Sequence, residues 1–150
     1  MKSVEVYKTK KDFKILTLYK LESGSYIASE PIFIVSVEAE LEDLGEKLFE
    51  ALNASRTIKE SEEDKFWLGN ALLKKIKEAS FSKLYATSSS CHVSFDNGII
   101  SIAPQKYLGK DKGLEIEEGR ASRIALDNNN NNNNRLEVIE KITQMLTEQN

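Results

Sequence analysis

The spacing of apolar residues changes along this 150-residue chain, and that change limits the folds open to it. The first 37 residues show the two-residue alternation and the β-branched and aromatic content that are typical of strands. Residues 13–19 predict one strand, and residues 26–37, interrupted at Pro31, predict another. Because residues 32–35 form a continuous apolar run, we predict that this second strand is buried on both faces.

Residues 40–52 instead have the three- and four-residue apolar spacing of an amphipathic helix. The stripe consists of Leu41, Leu44, Leu48, Ala51 and Leu52. A second helix is predicted to begin near Ser61, where the following acids resemble a capping box, and its broad apolar face includes Trp67. Such a wide apolar face must be covered, most simply by the sheet, so we predict that Trp67 lies in the core.

The second half of the chain returns to strand patterns and ends in a helical one. Four segments are predicted strands: residues 83–86, 91–95, 99–103 and 123–126. The dipeptide Asn97-Gly98 predicts a tight hairpin turn, because it tolerates the positive φ that such a turn needs. Residues 105–120 predict a charged loop with at most one short strand, and residues 135–147 predict a closing helix.

This order of elements favours an α+β fold, with a mainly antiparallel sheet packed against two central helices and a further helix at the C-terminus. A length of 150 residues fits a single domain with one hydrophobic core. Asn128 to Asn134 form an uninterrupted asparagine tract without apolar side chains. Residues 127–134 are therefore predicted to be a flexible linker before the last helix.

Several classes of protein are excluded by composition. One cysteine cannot form an internal disulfide, and one cysteine with one histidine leaves no Cys-based zinc site. No apolar run reaches the roughly 18 to 20 residues of a membrane span. The first eight residues are too charged for a signal peptide. We therefore expect a cytoplasmic protein without a metal, a cofactor or a membrane partner.

No group of residues argues for catalysis. Cys91 and His92 are adjacent on a predicted strand, so their side chains should point to opposite faces, which opposes a thiol–imidazole pair. We interpret them as a small buried cysteine beside a half-exposed histidine. The glycines do not have the spacing of a nucleotide-binding loop. A small hydrolase that uses surface carboxylates such as Glu115 and Glu117 is the less favoured alternative.

The net charge of −3 at pH 7 is unevenly distributed. Residues 38–64 hold ten carboxylates against three basic side chains, whereas residues 1–20 and 65–112 are both basic. The dispersed lysines and only four arginines do not resemble a nucleic-acid-binding surface. An uneven field steers encounter with an oppositely charged molecule, so we expect a protein partner and no direct contact with nucleic acid.

The middle of the chain resembles a known family. Residues 44–56, with the pattern Leu-Gly followed by Ala-Leu-Asn-Ala-Ser-Arg, resemble a helix of the immunity proteins of contact-dependent growth inhibition (CDI) systems. Residues 83–104 resemble the Cys-containing hairpin of the same family. The resemblance covers residues 41–105 and specifies a fold more than a site. It implies a cytoplasmic protein that binds the C-terminal toxin domain of a delivered effector, commonly a nuclease, and neutralises it.

If the chain is such an immunity protein, exposed acids are the expected contacts with a basic toxin surface. We predict these contacts on the first helix and on the long loop, with Tyr107 as an aromatic anchor. The predicted toxin-binding residues are Glu42, Asp43, Glu46, Glu50, Tyr107, Asp111, Glu115, Glu117 and Glu118. The alternative is a non-enzymatic adaptor that forms homo-oligomers through the helix of Trp67 or the hairpin of residues 83–103.

Overall fold

A computed structural model describes residues 1–126 and 132–149. These residues have the predicted α+β fold, an eight-stranded and mainly antiparallel sheet with helices on both faces. The strands are β1 (Lys2–Lys8), β2 (Asp12–Leu21), β3 (Tyr26–Ser36), β4 (Thr57–Ile58), β5 (Ser89–Asp96), β6 (Ile99–Tyr107), β7 (Leu114–Ile116) and β8 (Ser122–Ala125). The helices are α1 (Leu41–Ala54), α2 (Glu63–Phe66), α3 (Ala71–Ile76), α4 (Phe81–Thr87) and α5 (Asn132–Glu148).

The N-terminal strand lies in the middle of the sheet. The strand order is β3–β2–β1–β5–β6–β7, and each of these neighbours is antiparallel. β4 adds a short parallel pairing to β2, and β8 pairs with the first half of β6. The β5–β6 hairpin turns at Asn97 and Gly98, which both have positive φ, as the dipeptide predicted.

One face of the sheet, which we call the helix face, is covered by α1 and α5. Val4 and Val6 of β1 point to this face together with Cys91 and Val93 of β5. The helices contribute the buried side chains of Leu44, Leu48, Phe49, Ala51, Leu52, Val138, Ile139, Ile142 and Leu146. The predicted apolar stripe of the first helix is therefore confirmed, except that Leu41 at the helix start is exposed.

The two helices of the helix face approach closely at Gly45. A Cβ atom at this position would lie 3.1 Å from Cγ1 of Ile139 on α5, which is closer than ordinary van der Waals contact. Glycine weakens an isolated helix, but here its missing side chain lets two helices touch. Gly45 therefore fixes how α5 lies on α1.

The other side of the sheet, which we call the opposite face, is partly covered by α3 and α4. Tyr7 and Leu16 pack there against Leu72 and Ile76 of α3 and Leu84 of α4. This apolar cluster is smaller than the core on the helix face. The opposite face therefore buries less apolar surface and leaves the middle of the sheet to polar side chains.

A buried lysine attaches α3 to the sheet on the opposite face. Lys14 is 1% exposed, and its Nζ lies 2.9 Å from Oε2 of Glu78 and 3.6 Å from Oδ2 of Asp12. The same ammonium donates a hydrogen bond to the carbonyl of Ile76. Two carboxylates and a carbonyl thus offset the loss of water around this charge.

The second predicted helix is broken, and Trp67 is 63% exposed, so the prediction that it lies in the core is wrong. Residues 67–70 separate α2 from α3. Phe66 packs on Tyr19, with ring centroids 4.4 Å apart, on the side of the helix face, whereas Leu68 joins the cluster of the opposite face. The chain crosses the β3 edge of the sheet at this point, which leaves Trp67 pointing outward.

Residues 83–86 are helical and not the strand that we predicted. They belong to α4, whose N-cap residue Ser80 accepts a hydrogen bond from the backbone N–H of Lys83. Leu84 is buried, and Phe81 and Tyr85 pack near it, which is the spacing of a helix face. The strand begins only at Ser89.

Residues 32–35 are partly exposed, so the prediction of a strand buried on both faces is also wrong. The reason is position, because β3 is the edge strand of the sheet. β3 continues through Pro31, close to a shift in its register with β2. An edge strand tolerates proline, since it does not need every backbone donor for a neighbour.

The remaining predicted strands are confirmed, and the last helix begins earlier than predicted. β5, β6 and β8 match the predicted segments, and β7 is the short strand expected within residues 105–120. Residues 132–134 of the predicted linker belong to α5. The rest of that linker, residues 127–131, lies outside the described residues. Within the described parts of the chain, no helix has the length and apolar content to cross a membrane.

Candidate functional site

Three polar side chains lie together in the middle of the opposite face. Glu5 on β1 is directly paired with His92 on β5. Both point away from α1 and α5, because the residues that flank them along each strand, Val4 and Val6 or Cys91 and Val93, face the apolar core. Gln105 on β6 lies on the same side, and its Nε2 donates a hydrogen bond to Oε2 of Glu5 over 3.1 Å. These residues form a polar cluster across three adjacent strands.

Two buried atoms of this cluster have no hydrogen-bond partner among the described residues, Nε2 of His92 and Oε1 of Gln105. His92 is 4% exposed and Gln105 is 7% exposed. Buried polar atoms are normally paired, because a group that loses water without a replacement costs free energy. The two unpaired atoms therefore cost free energy that a donor to either of them would recover.

The electrostatics of the cluster also show a carboxyl group without a cationic partner. Burial raises the pKa of Glu5, and the neighbouring amide of Gln105 and hydroxyl of Tyr7 offset this only in part. No basic side chain in the described ranges forms an ion pair with Glu5. Burial lowers the pKa of His92 to about 4, so its imidazole is neutral at pH 7. The cluster consequently holds a carboxyl group and no balancing cation.

Four of the five tyrosines border this cluster. The ring of Tyr85 stacks on Tyr7 at a centroid distance of 6.1 Å and lies 5.8 Å from Tyr107. Tyr26 meets the imidazole of His92 edge-on at 5.3 Å. Burial raises the pKa of three of these phenols, Tyr7, Tyr26 and Tyr85, so their hydroxyls stay protonated. We call Glu5, His92, Gln105, Tyr7, Tyr26, Tyr85 and Tyr107 the tyrosine-lined site.

A cavity of about 630 Å³ opens beside the tyrosine-lined site. Tyr85, Gln105 and Tyr107 line one part of it, and the last turns of α5 line another. Glu117 and Arg120 form an ion pair on its wall, with Oε1 and Nη1 separated by 3.2 Å. The cavity is large enough for a side chain, and it reaches the tyrosine-lined site at Tyr85, Gln105 and Tyr107.

The acids predicted as contacts on the first helix lie elsewhere. All four, Glu42, Asp43, Glu46 and Glu50, are exposed on α1. Glu42 and Glu46 line a groove of about 340 Å³ between α1 and the start of α5. Phe49 and Arg135 also line this groove, and the guanidinium lies 4.5 Å from the ring centroid. We call this surface the α1 groove.

The predicted loop residues are divided between the cavity and open surface. Tyr107 and Glu117 are partly buried and line the cavity. Asp111, Glu115 and Glu118 are exposed and do not line it. The predicted contacts thus form two groups, one on α1 and one at or near the cavity, and of the two carboxylates named in the hydrolase alternative only Glu117 lines the cavity.

The sequence-based predictions missed Glu5 and Gln105 and placed His92 incorrectly. His92 is buried, not half-exposed, because the ring of Tyr26 covers it. The sequence signal that could have found Glu5 is a carboxylate between two valines in a strand. Cys91 and His92 do point to opposite faces, as predicted, and burial raises the pKa of the Cys91 thiol far above neutrality.

The arrangement is suited to binding. The Cys91 thiol faces the apolar core, where it is protonated and inaccessible to a substrate. Among the residues that the structure describes, no three His, Cys, Asp or Glu side chains are grouped so that they could hold a metal ion. The site instead offers hydrogen-bond acceptors and aromatic rings, which are groups that can recognise a ligand.

Known proteins resemble the chain in sequence pattern and in fold. A family model described as CDI immunity protein matches residues 2–132. A protein of unknown function from Neisseria meningitidis shares the fold with a TM-score of 0.74 at 17% identity, over 98% of this chain and 94% of that chain. The CdiA-CT/CdiI toxin and immunity complex from Yersinia pseudotuberculosis matches with a TM-score of 0.69 at 14% identity, over 97% and 95%. No curated protein matches the sequence.

Proposed function

The chain belongs to the CDI immunity protein family, and from this premise we propose that it binds the toxin domain of its own CDI system and covers that domain's active site or substrate surface. An immunity protein of this family neutralises a CDI toxin. The observation that carries the proposal is the family match over residues 2–132, which includes the whole sheet and α1 to α4. The fold shared with a protein solved in a toxin and immunity complex supports it.

We further propose that the toxin is a nuclease and that inhibition involves no turnover by the immunity protein. A nuclease that binds nucleic acid presents a basic surface. The exposed acids of α1 and the net charge of −3 would attract such a surface and speed association. In this proposal the protein acts in the cytoplasm as a single domain, binds no nucleic acid itself and needs no cofactor.

The proposed contact surface combines the α1 groove with the rim of the cavity. Its residues are the nine predicted from the sequence, Glu42, Asp43, Glu46, Glu50, Tyr107, Asp111, Glu115, Glu117 and Glu118. α5 separates the two groups and has 17 residues, which is about 25 Å of helix. A protein interface of standard size covers about 800 Å² on each partner, or about 30 Å across. One toxin domain could therefore reach both groups.

Co-expression tests the function. The gene immediately upstream is the expected source of the toxin, and its toxin domain should arrest cells unless this chain is present. The purified proteins should form a stable complex in which toxin activity is lost in proportion to the immunity protein added. Arrest without rescue, together with no complex, would overturn the proposal. Multiple turnover of a substrate by this protein alone would overturn the non-enzymatic part.

Charge reversal tests the proposed surface. The double variant Glu42→Lys, Glu46→Lys should associate with the toxin about tenfold more slowly at low salt, because steering depends on these charges. Glu22→Lys is the matched control, since Glu22 is exposed in the β2–β3 turn, outside the proposed surface. An unchanged association rate for the double variant would remove the α1 groove from the interface.

A further inference from the structure

We propose that the tyrosine-lined site receives one basic side chain, an arginine or a lysine, from the toxin. The inference rests on the proposed function, because it assumes a toxin partner, and it adds the chemistry by which that partner is recognised. The geometry that carries it is a carboxylate, an amide oxygen and an imidazole nitrogen on one patch of sheet, bordered by four tyrosine rings.

The unpaired atoms of the site require a donor. Oε1 of Gln105 is an acceptor only, and its Nε2 is already used by Glu5. Nε2 of His92 accepts a hydrogen bond in the neutral ring when the proton is on Nδ1. Guanidinium and ammonium groups carry several donors and no acceptor, whereas carboxylates and phosphates carry acceptors that would oppose these atoms. Of the charged groups, a cation is therefore the one that fits these atoms.

The charge balance leads to the same conclusion. The opposite face buries another charge, Lys14, and surrounds it with the carboxylates of Glu78 and Asp12. Glu5 has no such partner in the described part of the chain, and Gln105 supplies only a neutral donor. An incoming cation would pair with Glu5 in a place already stripped of much of its water, where ionic hydrogen bonds are strong.

The aromatic walls suit a cation as well. Tyr85 and Tyr107 are partly exposed, and both line the cavity together with Gln105. Aromatic faces attract arginine and lysine when the charge lies within about 6 Å of the ring centre. Nε2 of Gln105 on the cavity wall lies 3.1 Å from Oε2 of the partly exposed Glu5, so a side chain that passes the tyrosines and meets Gln105 comes next to this carboxylate. The cavity also contains Lys106 and Lys141, so an anionic occupant is the competing outcome.

The test uses the full-length protein and the toxin domain encoded upstream. Glu5→Gln removes the charge but keeps an oxygen that accepts from Gln105, so folding should be retained. Toxin affinity should fall on the order of 30-fold or more, as for a lost partner of a buried ion pair. Glu22→Gln is the matched control and should bind like the wild type. Stability measured in parallel should not fall in Glu5→Gln, since the glutamine keeps an acceptor for Gln105 and replaces a carboxyl group that has no cationic partner among the described residues.

A second set of variants identifies the ligand. Substituting each arginine and lysine of the toxin in turn should reveal one whose effect disappears in the Glu5→Gln background, which is the signature of a direct pair in a double-mutant cycle. Tyr107→Leu should also weaken toxin binding. It replaces Glu5→Gln as the test variant if Glu5→Gln fails to fold. Wild-type affinity in Glu5→Gln, or a larger loss in Lys141→Gln than in Glu5→Gln, would overturn the inference. Absence of any complex with the wild type would instead overturn the proposed function.

Discussion

The two faces of the sheet bury their side chains in different ways. The helix face is filled with aliphatic residues from β1, β2, β5, β6, α1 and α5. The opposite face has a smaller apolar cluster and also buries Lys14, His92 and Gln105. Apolar burial stabilises any fold, whereas unpaired polar burial costs stability unless something binds there. The comparison teaches that the helix face supplies most of the stability, whereas the unpaired polar atoms of the opposite face lower it.

The largest effect should come from the helix face. Ile142→Ala should lower the free energy of unfolding by about 2–5 kcal/mol, because it opens a cavity where α5 meets the sheet. Ile99→Ala, at an exposed position of β6, is the control and should change it by less than about 0.5 kcal/mol. Urea denaturation measures both. Similar values for the two variants would break the assignment of stability to the helix face.

The next effect concerns pH and the opposite face. The unfolded chain protonates His92 near pH 6.5, but burial lowers the pKa in the folded protein to about 4. The unfolded state therefore binds more protons between these values, and stability is lost as pH falls through this window. The loss should approach about 3 kcal/mol relative to His92→Gln. The raised pKa of Glu5 acts in the other direction, but it is present in both proteins and cancels in this comparison.

Denaturation at pH 8 and at pH 4 measures this difference. As the pH falls, the free energy of unfolding of the wild type should decrease relative to that of His92→Gln. Parallel pH profiles would show that His92 is protonated in the folded protein as easily as in the unfolded chain, and the contrast between the two faces would weaken.

A smaller effect is expected at the buried ion pair. Glu78→Gln should cost about 1–3 kcal/mol, because it leaves the ammonium of Lys14 with the carbonyl of Ile76 and with the more distant Asp12 as its only carboxylate. Adding Lys14→Met should recover part of the loss, since it removes the ammonium that lost Glu78, whereas Asp12 keeps only its hydrogen bond from the hydroxyl of Thr9. Chemical denaturation of the single and double variants measures the coupling. A purely additive result would show that the pair contributes nothing specific to this face.

The smallest effect is expected at the β3 edge. Trp67→Ala should change the free energy of unfolding by no more than about 0.5 kcal/mol, because the side chain is largely exposed. Phe66→Ala in the preceding position is the useful contrast and should cost clearly more, since that ring packs on Tyr19. An equal loss for both would show that Trp67 packs more tightly than its exposure indicates.

The fold could be predicted from the sequence wherever local spacing decides the structure. The stripe of Leu44 and Leu48 and the turn at Asn97 and Gly98 are local signals, and both are confirmed. Trp67 was misplaced because the apolar pattern of residues 66–76 is continuous, although the chain changes faces within it. Periodicity reports which residues are apolar, not which side of a sheet edge they reach.

The candidate site could not be predicted from the sequence, for a different reason. Glu5, His92 and Gln105 are far apart along the chain, and only the strand order β1–β5–β6 brings them together. The charge distribution predicted that the exposed acids contact the toxin, and these contacts stay predictions. A single carboxylate in a central strand, by contrast, gives no local pattern. Its partners depend on register, which no window of neighbouring residues contains.

The outward position of the single tryptophan has a practical consequence. Indole emission depends on solvent contact, and in this fold the ring already faces water. Fluorescence should therefore change little when the protein unfolds and should move to shorter wavelength when another molecule covers the β3 edge. The native chain carries a built-in optical reporter of association at that edge, one that needs no label.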